Sequence, residues 1–286
     1  MIVDGTIPAG PFELAYRIEG QGYSAIVPGS VLFYSRVFSQ ALRERLRMVF
    51  LDHRGFARQS GAVDPKDYAF PVVIEDIERA RQRLGLDRVA LIGHSGHAYM
   101  ALEYAKKYAD HVSHVIMIGI APDLSVASAM AAEAYWQDFA SAERKARLDE
   151  RRRSMPDAEL ERLAPGPRFI QTFGIRDAAR SWYRLDFDPA PLWSGVKVNI
   201  DVFNHLWGEV FRDIDITRGL DHLHVPVFIA LGRHDFVVAP PSSWDAVVPR
   251  MRNATVRIFE RSGHTPQYDE AALFDSELLK WMAATA

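Results

Sequence analysis

The sequence predicts an α/β fold: a mostly parallel, eight-stranded sheet flanked by helices, with a helical cap inserted after the sixth strand. Three observations carry that expectation. Short apolar runs alternate with amphipathic helical patterns, most of those runs are apolar without interruption, and the alternation breaks once, between about Pro122 and Leu220. Strands buried on both faces are apolar at successive positions, and a strand–helix–strand succession packs as parallel strands joined by right-handed crossovers.

The strand candidates are Phe12 to Ile18, Ser24 to Pro28, Arg47 to Asp52, Arg88 to Gly93, His114 to Gly119, Pro226 to Gly232 and Thr255 to Glu260. Between them, Val72 to Leu86 sets Ile74, Ile77, Ala80 and Leu84 at three- and four-residue spacing, with Gly85 as a stop. The stretch His97 to Ala109 carries Met100, Leu102, Tyr104 and Ala105 in a second helical pattern. From residue 122 to 220 there is no convincing buried strand, and four of the six tryptophans fall there: Trp136, Trp182, Trp193 and Trp207. Residues 1–121 and 221–286 are therefore expected to form one core, and 122–220 a cap over the C-terminal edge of the sheet. Trp136, Trp182, Phe203 and Trp207 are its candidates for lining a pocket, although most of its aromatics are expected to form the cap's own core. Glu143 to Arg162 mixes charges of both signs, the pattern of a solvated helix face.

Composition narrows the function. With 48% apolar residues the 286-residue chain can bury a large core, and a net charge of -3 without a basic run argues against nucleic acid. Cysteine is absent, which removes disulfides, thiolate metal sites and cysteine nucleophiles together. The N-terminal stretch lacks the basic and apolar regions of a signal peptide, and no apolar stretch approaches the ~20 residues of a membrane span. The expectation is a soluble, cytoplasmic protein acting on a small molecule, with no membrane partner. Its oligomeric state is not legible.

In doubly wound sheets ligands bind beyond the carboxyl ends of the strands, so polar residues just after apolar runs have the strongest claim to chemistry. Three segments qualify. Gly93-His94-Ser95-Gly96-His97 joins a strand directly to a helix, with Ser95 at the turn. Asp235 follows the apolar run that ends at Gly232, and His264 follows Thr255 to Glu260. A carboxylate in the second segment would orient an imidazole, and a histidine in the third would take the proton from Ser95. Alone, each has an ordinary reading: a helix N-cap for Ser95, a turn-former for Asp235, a surface position for His264. Together, in the order Ser, Asp, His at three strand ends, they point to nucleophilic catalysis. The Gly96 amide, at a helix N-terminus, and the Ser30 amide, approached through Gly29, are the candidate oxyanion donors. Gly93, His94 and His97 complete the turn. His222 and His224 lack a third ligand, so no metal is expected, nor any other cofactor.

These segments resemble the α/β-hydrolase superfamily, and within it the proline iminopeptidase-like branch. The stretch LDHRGFARQSG is similar to its D-x-R-G-x-G-x-S turn, GHSGHAYMALEYAKKYA to its nucleophile elbow, LGRHD to its acid loop and SGHTPQYDE to its histidine loop. The resemblance implies Ser95 as nucleophile, Asp235 as orienting acid and His264 as base, with Arg54 and Gly55 shaping the turn after the fourth strand.

Three departures bear on substrate. Pro28-Gly29-Ser30-Val31-Leu32 replaces the family's H-G-G-P-G. His97 stands where the elbow has its second glycine, so its side chain is expected to turn outward or displace its neighbours. Phe203-Asn204-His205-Leu206-Trp207 stands nearest the E-N-H-Y-F segment whose acid binds a free amine, with phenylalanine in place of that acid. The expectation is a serine hydrolase of a small, largely apolar ester or lactone. A prolyl aminopeptidase, or a lyase or ligand-binding protein on the same fold, is the alternative.

Overall fold

A computed structural model of the chain describes residues 2–285. Its strands are β1 (Ile2–Ala9), β2 (Phe12–Glu19), β3 (Tyr23–Gly29), β4 (Leu46–Asp52), β5 (Arg58–Gln59), β6 (Val89–His94), β7 (Val112–Ile118), β8 (Val227–Gly232) and β9 (Ala254–Phe259). They form one sheet in the order β1-β2-β4-β3-β6-β7-β8-β9, with β5 paired to β2. From β4 to β9 every pairing is parallel, while β1/β2, β2/β4 and β2/β5 are antiparallel. The sheet thus has nine strands rather than the expected eight, because Arg58 and Gln59 add a two-residue strand against Phe12 and Glu13.

The continuous apolar runs follow from burial on both faces. Ile26, Val49, Leu91, Met117 and Ile229 face one layer, with the helices Phe70–Arg83 and His97–Lys107. Their chain neighbours Ala25, Phe50, Ile92, Ile116 and Phe228 face the other, with Val31–Val37 and Ala271–Thr285. Successive side chains on a strand point to opposite faces, so only an unbroken apolar run fills both layers. Each fully buried Val, Leu or Ile contributes ~1.5–3 kcal/mol. Arg54 closes the turn after β4: its guanidinium donates twice to buried Asp76, at 2.5 and 2.9 Å, and once to the Asp67 carbonyl.

Between β7 and β8 the chain is helical: Val126–Phe139, Ala142–Ser154, then a series of short helices ending with Leu220–His222. The charged stretch from Glu143 departs from the expected solvated face at Arg144, which is buried and donates to the carbonyls of Ala179, Trp182 and Tyr183 at 2.6–2.7 Å. No described helix is long and apolar enough to cross a membrane.

Candidate active site

Ser95 lies at the turn between β6 and the helix His97–Lys107, with φ of +55°; no other described non-glycine residue has positive φ. That conformation is strained for a residue with a Cβ and persists only where the surroundings fix it. Here the Ser95 amide donates to the Ile118 carbonyl at 2.8 Å, and the Ser95 carbonyl accepts from the Ala98 amide at 2.8 Å. The helix begins with Gly96 as its N-cap and no side-chain capping bond, so the Ser95 hydroxyl does not serve as a cap. Gly93 permits the close crossing of strand and helix: a Cβ there would stand 2.4 Å from both the Ala98 Cα and the His97 carbonyl oxygen.

Asp235 and His264 meet although they are 29 residues apart. His264 Nδ1 donates to Asp235 Oδ2 at 2.8 Å, and both side chains are buried. With Nδ1 carrying its proton, Nε2 is the basic nitrogen of that ring. The other Asp235 oxygen accepts from the Val237 amide at 2.9 Å.

The helical insertion holds both loops. Its Ser181 carbonyl accepts from the His264 amide at 2.6 Å, and its Arg180 carbonyl from the Phe236 amide at 3.1 Å. Asp269 Oδ2 accepts from Gly263 N at 2.8 Å and from Tyr183 N at 3.2 Å, tying the histidine loop to the insertion. Burial raises the Asp269 carboxyl to about 6.

Ser95 and His264 open onto one cavity of roughly 500 Å³. Its core wall includes Tyr34, His94, His97 and Thr265; the insertion contributes aromatic side chains, among them Phe169, Phe173, Trp193 and Phe203. Asp, Glu, Lys and Arg are absent from its described lining. Of the expected pocket aromatics, Trp182, Phe203 and Trp207 are on the wall and Trp136 is not. Trp136 is buried in a separate cluster with Leu148, Ala179 and Phe236, its ring under the Arg180 guanidinium, because the helix Val126–Phe139 turns that side chain toward Phe236. Trp193 was placed in the cap without a pocket role, and Phe169 and Phe173 were not singled out in the sequence; the only available signal was aromatic content between β7 and β8.

Ser30 is buried and N-caps the helix Val31–Val37 through its hydroxyl, which accepts from the Phe33 amide at 3.3 Å. Asp52 pins the same turn by accepting from the Val31 amide at 2.7 Å, and burial lifts its carboxyl to about 7. Among the described turn and loop bonds, neither Ser30 N nor Gly96 N donates to a backbone carbonyl. Gly29, at φ +153°, leaves room for the Tyr34 ring, which a Cβ would meet at 2.0 Å.

The elbow's histidines meet Tyr34, a residue that sequence reasoning missed although it lies four positions after Ser30 on the same helix. His94 Nε2 donates to the His264 carbonyl at 2.9 Å, so its Nδ1 accepts from the Tyr34 hydroxyl at 3.1 Å. His97 Nδ1 faces the His94 carbonyl and the Tyr34 oxygen, each at 2.9 Å. A carbonyl only accepts, so that nitrogen carries the proton. His97 neither turns outward nor spoils the elbow: it is buried against His53, Phe56 and Trp207, because Tyr34 and the His94 carbonyl satisfy its Nδ1. Burial pushes His97 down to about 4 and holds His53 and His94 well below the usual histidine range, so the three rings are neutral near pH 7.

The chain is 40% identical over 272 residues to the AB hydrolase superfamily protein YclE of Bacillus subtilis, covering 95% of each chain. It is 24% identical over 276 residues to the proline iminopeptidase PfmaB of Pestalotiopsis fici, covering 88% of this chain and 90% of that one. Among solved structures, the esterase EaEST of Exiguobacterium antarcticum superposes with a TM-score of 0.70 at 20% identity, covering 98% of this chain and all of that one. The family model described as alpha/beta hydrolase fold matches residues 22–271, and the chain belongs to that family.

Proposed function

We propose that the protein is a serine hydrolase that cleaves carboxylic esters or lactones of small, largely apolar substrates through an acyl-enzyme. The observation that carries this reading is Ser95, held at φ +55° on the same cavity as His264, whose Nδ1 is bonded to buried Asp235. In the proposed reaction His264 Nε2 takes the Ser95 hydroxyl proton as Oγ attacks the carbonyl carbon. The Gly96 and Ser30 amides donate to the oxyanion. Collapse of the tetrahedral intermediate expels the alkoxide, which takes the proton from His264, and leaves the acyl group on Ser95. A water deprotonated by His264 then attacks the acyl carbonyl, and as the second tetrahedral intermediate collapses to release the acid, His264 returns that proton to Ser95 Oγ. Asp235 keeps the imidazole oriented and stabilises its protonated form.

The substrate class rests on the cavity. Its walls are chiefly aromatic and its described lining has no carboxylate to bind a substrate ammonium. Phe203 is on that wall, where an amine-reading enzyme would need an acid. The structural likeness to an esterase agrees with this choice, while the relative named a proline iminopeptidase supports a second reading, aminopeptidase action. A panel of short and medium acyl esters, lactones and a prolyl arylamide separates the two. Higher kcat/KM on esters or lactones is expected; faster turnover of the prolyl arylamide would reverse the assignment.

A further inference from the structure

We propose that the acyl part of the substrate carries an aromatic ring, which seats among the rings that surround the two candidate oxyanion donors, so that aryl-bearing acyl groups are preferred over aliphatic ones of the same size. The proposal rests on the hydrolase reading above and names a substrate class for it.

The rings are held in place, and a ligand can reach them. Three glycines seat three of them: a Cβ at Gly55 would stand 2.8 Å from the Phe203 ring, one at Gly96 2.6 Å from the Trp207 indole, and one at Gly174 2.7 Å from the Trp193 indole. Between centroids, Phe203 and Trp207 stack at 4.5 Å, Phe169 packs on Phe203 at 5.0 Å, and Phe33 packs on Trp193 at 4.4 Å. Phe56, Phe169, Trp193 and Trp207 line the cavity and are only half-buried, so ring surface is left for a ligand. An aromatic group against such rings gains from offset-stacked and edge-to-face arrangements what a saturated ring of similar area does not.

The accessible rings lie at the carbonyl end of the site. Trp207 sits over Gly96, one candidate oxyanion donor, and Phe33, which packs on Trp193, follows Ser30, the other, on the helix that Ser30 caps. The leaving oxygen takes its proton from His264, so the leaving group points toward that histidine and the loop that holds Asp235. That loop gives the wall Val237 and Val238, both aliphatic. Trp182 follows Ser181, whose carbonyl accepts from the His264 amide, but it is only 4% exposed and packs on Phe187 and Tyr268. The accessible rings are thus left to the acyl part, and an aliphatic wall to the leaving group.

Three esters test this: the methyl ester of phenylpropanoic acid, that of cyclohexylpropanoic acid, and phenylethyl acetate, an isomer of the first with its ring in the alcohol part. In a Ser95→Ala variant, which binds without turnover, the phenyl ester is expected to have a dissociation constant at least about fivefold below that of the cyclohexyl ester. With Phe169→Leu and Trp193→Leu added, the ratio is expected to fall within about twofold. A ratio below about twofold in Ser95→Ala, no binding of either ester, or a ratio that survives Phe169→Leu and Trp193→Leu overturns the aryl subsite. The ratio in Ser95→Ala decides by itself if the triple variant does not fold. In the wild type, kcat/KM is expected to be higher on the phenylpropanoate than on phenylethyl acetate, and equal or faster cleavage of the acetate overturns the assignment to the acyl part. Binding with the preference but without cleavage of any ester removes the hydrolase reading and leaves the aryl subsite.

Discussion

The two walls of the cavity are built differently. On the core wall, backbone and polar contacts fix each group: Ser95 through Ile118 and Ala98, His264 through Asp235, His94 and His97 through Tyr34. On the insertion wall, aromatic side chains pack on one another, as Phe203 stacks with Trp207 at 4.5 Å and touches Phe169 at 5.0 Å. Hydrogen bonds are directional and hold reacting atoms in place, whereas aromatic packing sets volume and polarity. In the proposed reading the first wall carries the chemistry and the second sets substrate shape.

The largest expected effect breaks the core wall. Ser95→Ala lowers kcat by about 10⁴-fold or more without changing the melting temperature downward, measured on the best ester of the panel. Alanine keeps the Cβ and with it the same backbone strain at φ +55°, so stability is preserved. Next comes the aromatic cluster behind the insertion wall: Trp136→Ala costs on the order of 3–5 kcal/mol of stability and leaves KM unchanged, because Trp136 does not line the cavity. Denaturant titration and ester kinetics on the same preparation check both halves. Phe203→Ala should differ by raising KM by about ten- to a hundredfold with little change in kcat, as expected for lost apolar contact shared by ground and transition states.

The smallest effect probes the tie between the walls. Asp269 has its pKa raised from 3.8 to about 6 by burial, so the native state favours the protonated acid. Its contribution is fully present below the unfolded value and is lost as pH rises through about 6. Asp269→Asn can still accept from Gly263 and Tyr183 but cannot ionise. The melting temperature of the variant relative to the wild type should therefore rise between pH 4 and 7, on top of the opposing slopes that Asp52, raised to about 7, and the depressed His53, His94 and His97 supply in both proteins.

Legibility in the sequence follows the same division. The central strands were readable because burial on both faces demands unbroken apolar runs, and the helix stop at Gly85 was readable because the residue sits at φ +61°. Strand β1 was not: it is an edge strand with only Ile7 and Ala9 buried, and IVDGTIPA carries no such run. The two-residue β5 has no pattern to detect. Ser95, Asp235 and His264 were legible because strand ends are where ligands bind in such sheets. Tyr34 was hidden because its role arises from a helix folding over Gly29, a contact between elements that no local pattern announces. The insertion was the least legible part: its short helices share no period, and nothing in the sequence separates Trp136, turned toward Phe236, from Trp193 on the cavity wall.

The most direct test of the central claim is labelling with a fluorophosphonate, followed by intact-mass and peptide mass spectrometry. The prediction is one adduct per chain, mapped to Ser95, absent in Ser95→Ala and slowed in Asp235→Asn. Labelling at another residue, or equal labelling of Ser95→Ala, would contradict the assignment of Ser95 as the nucleophile.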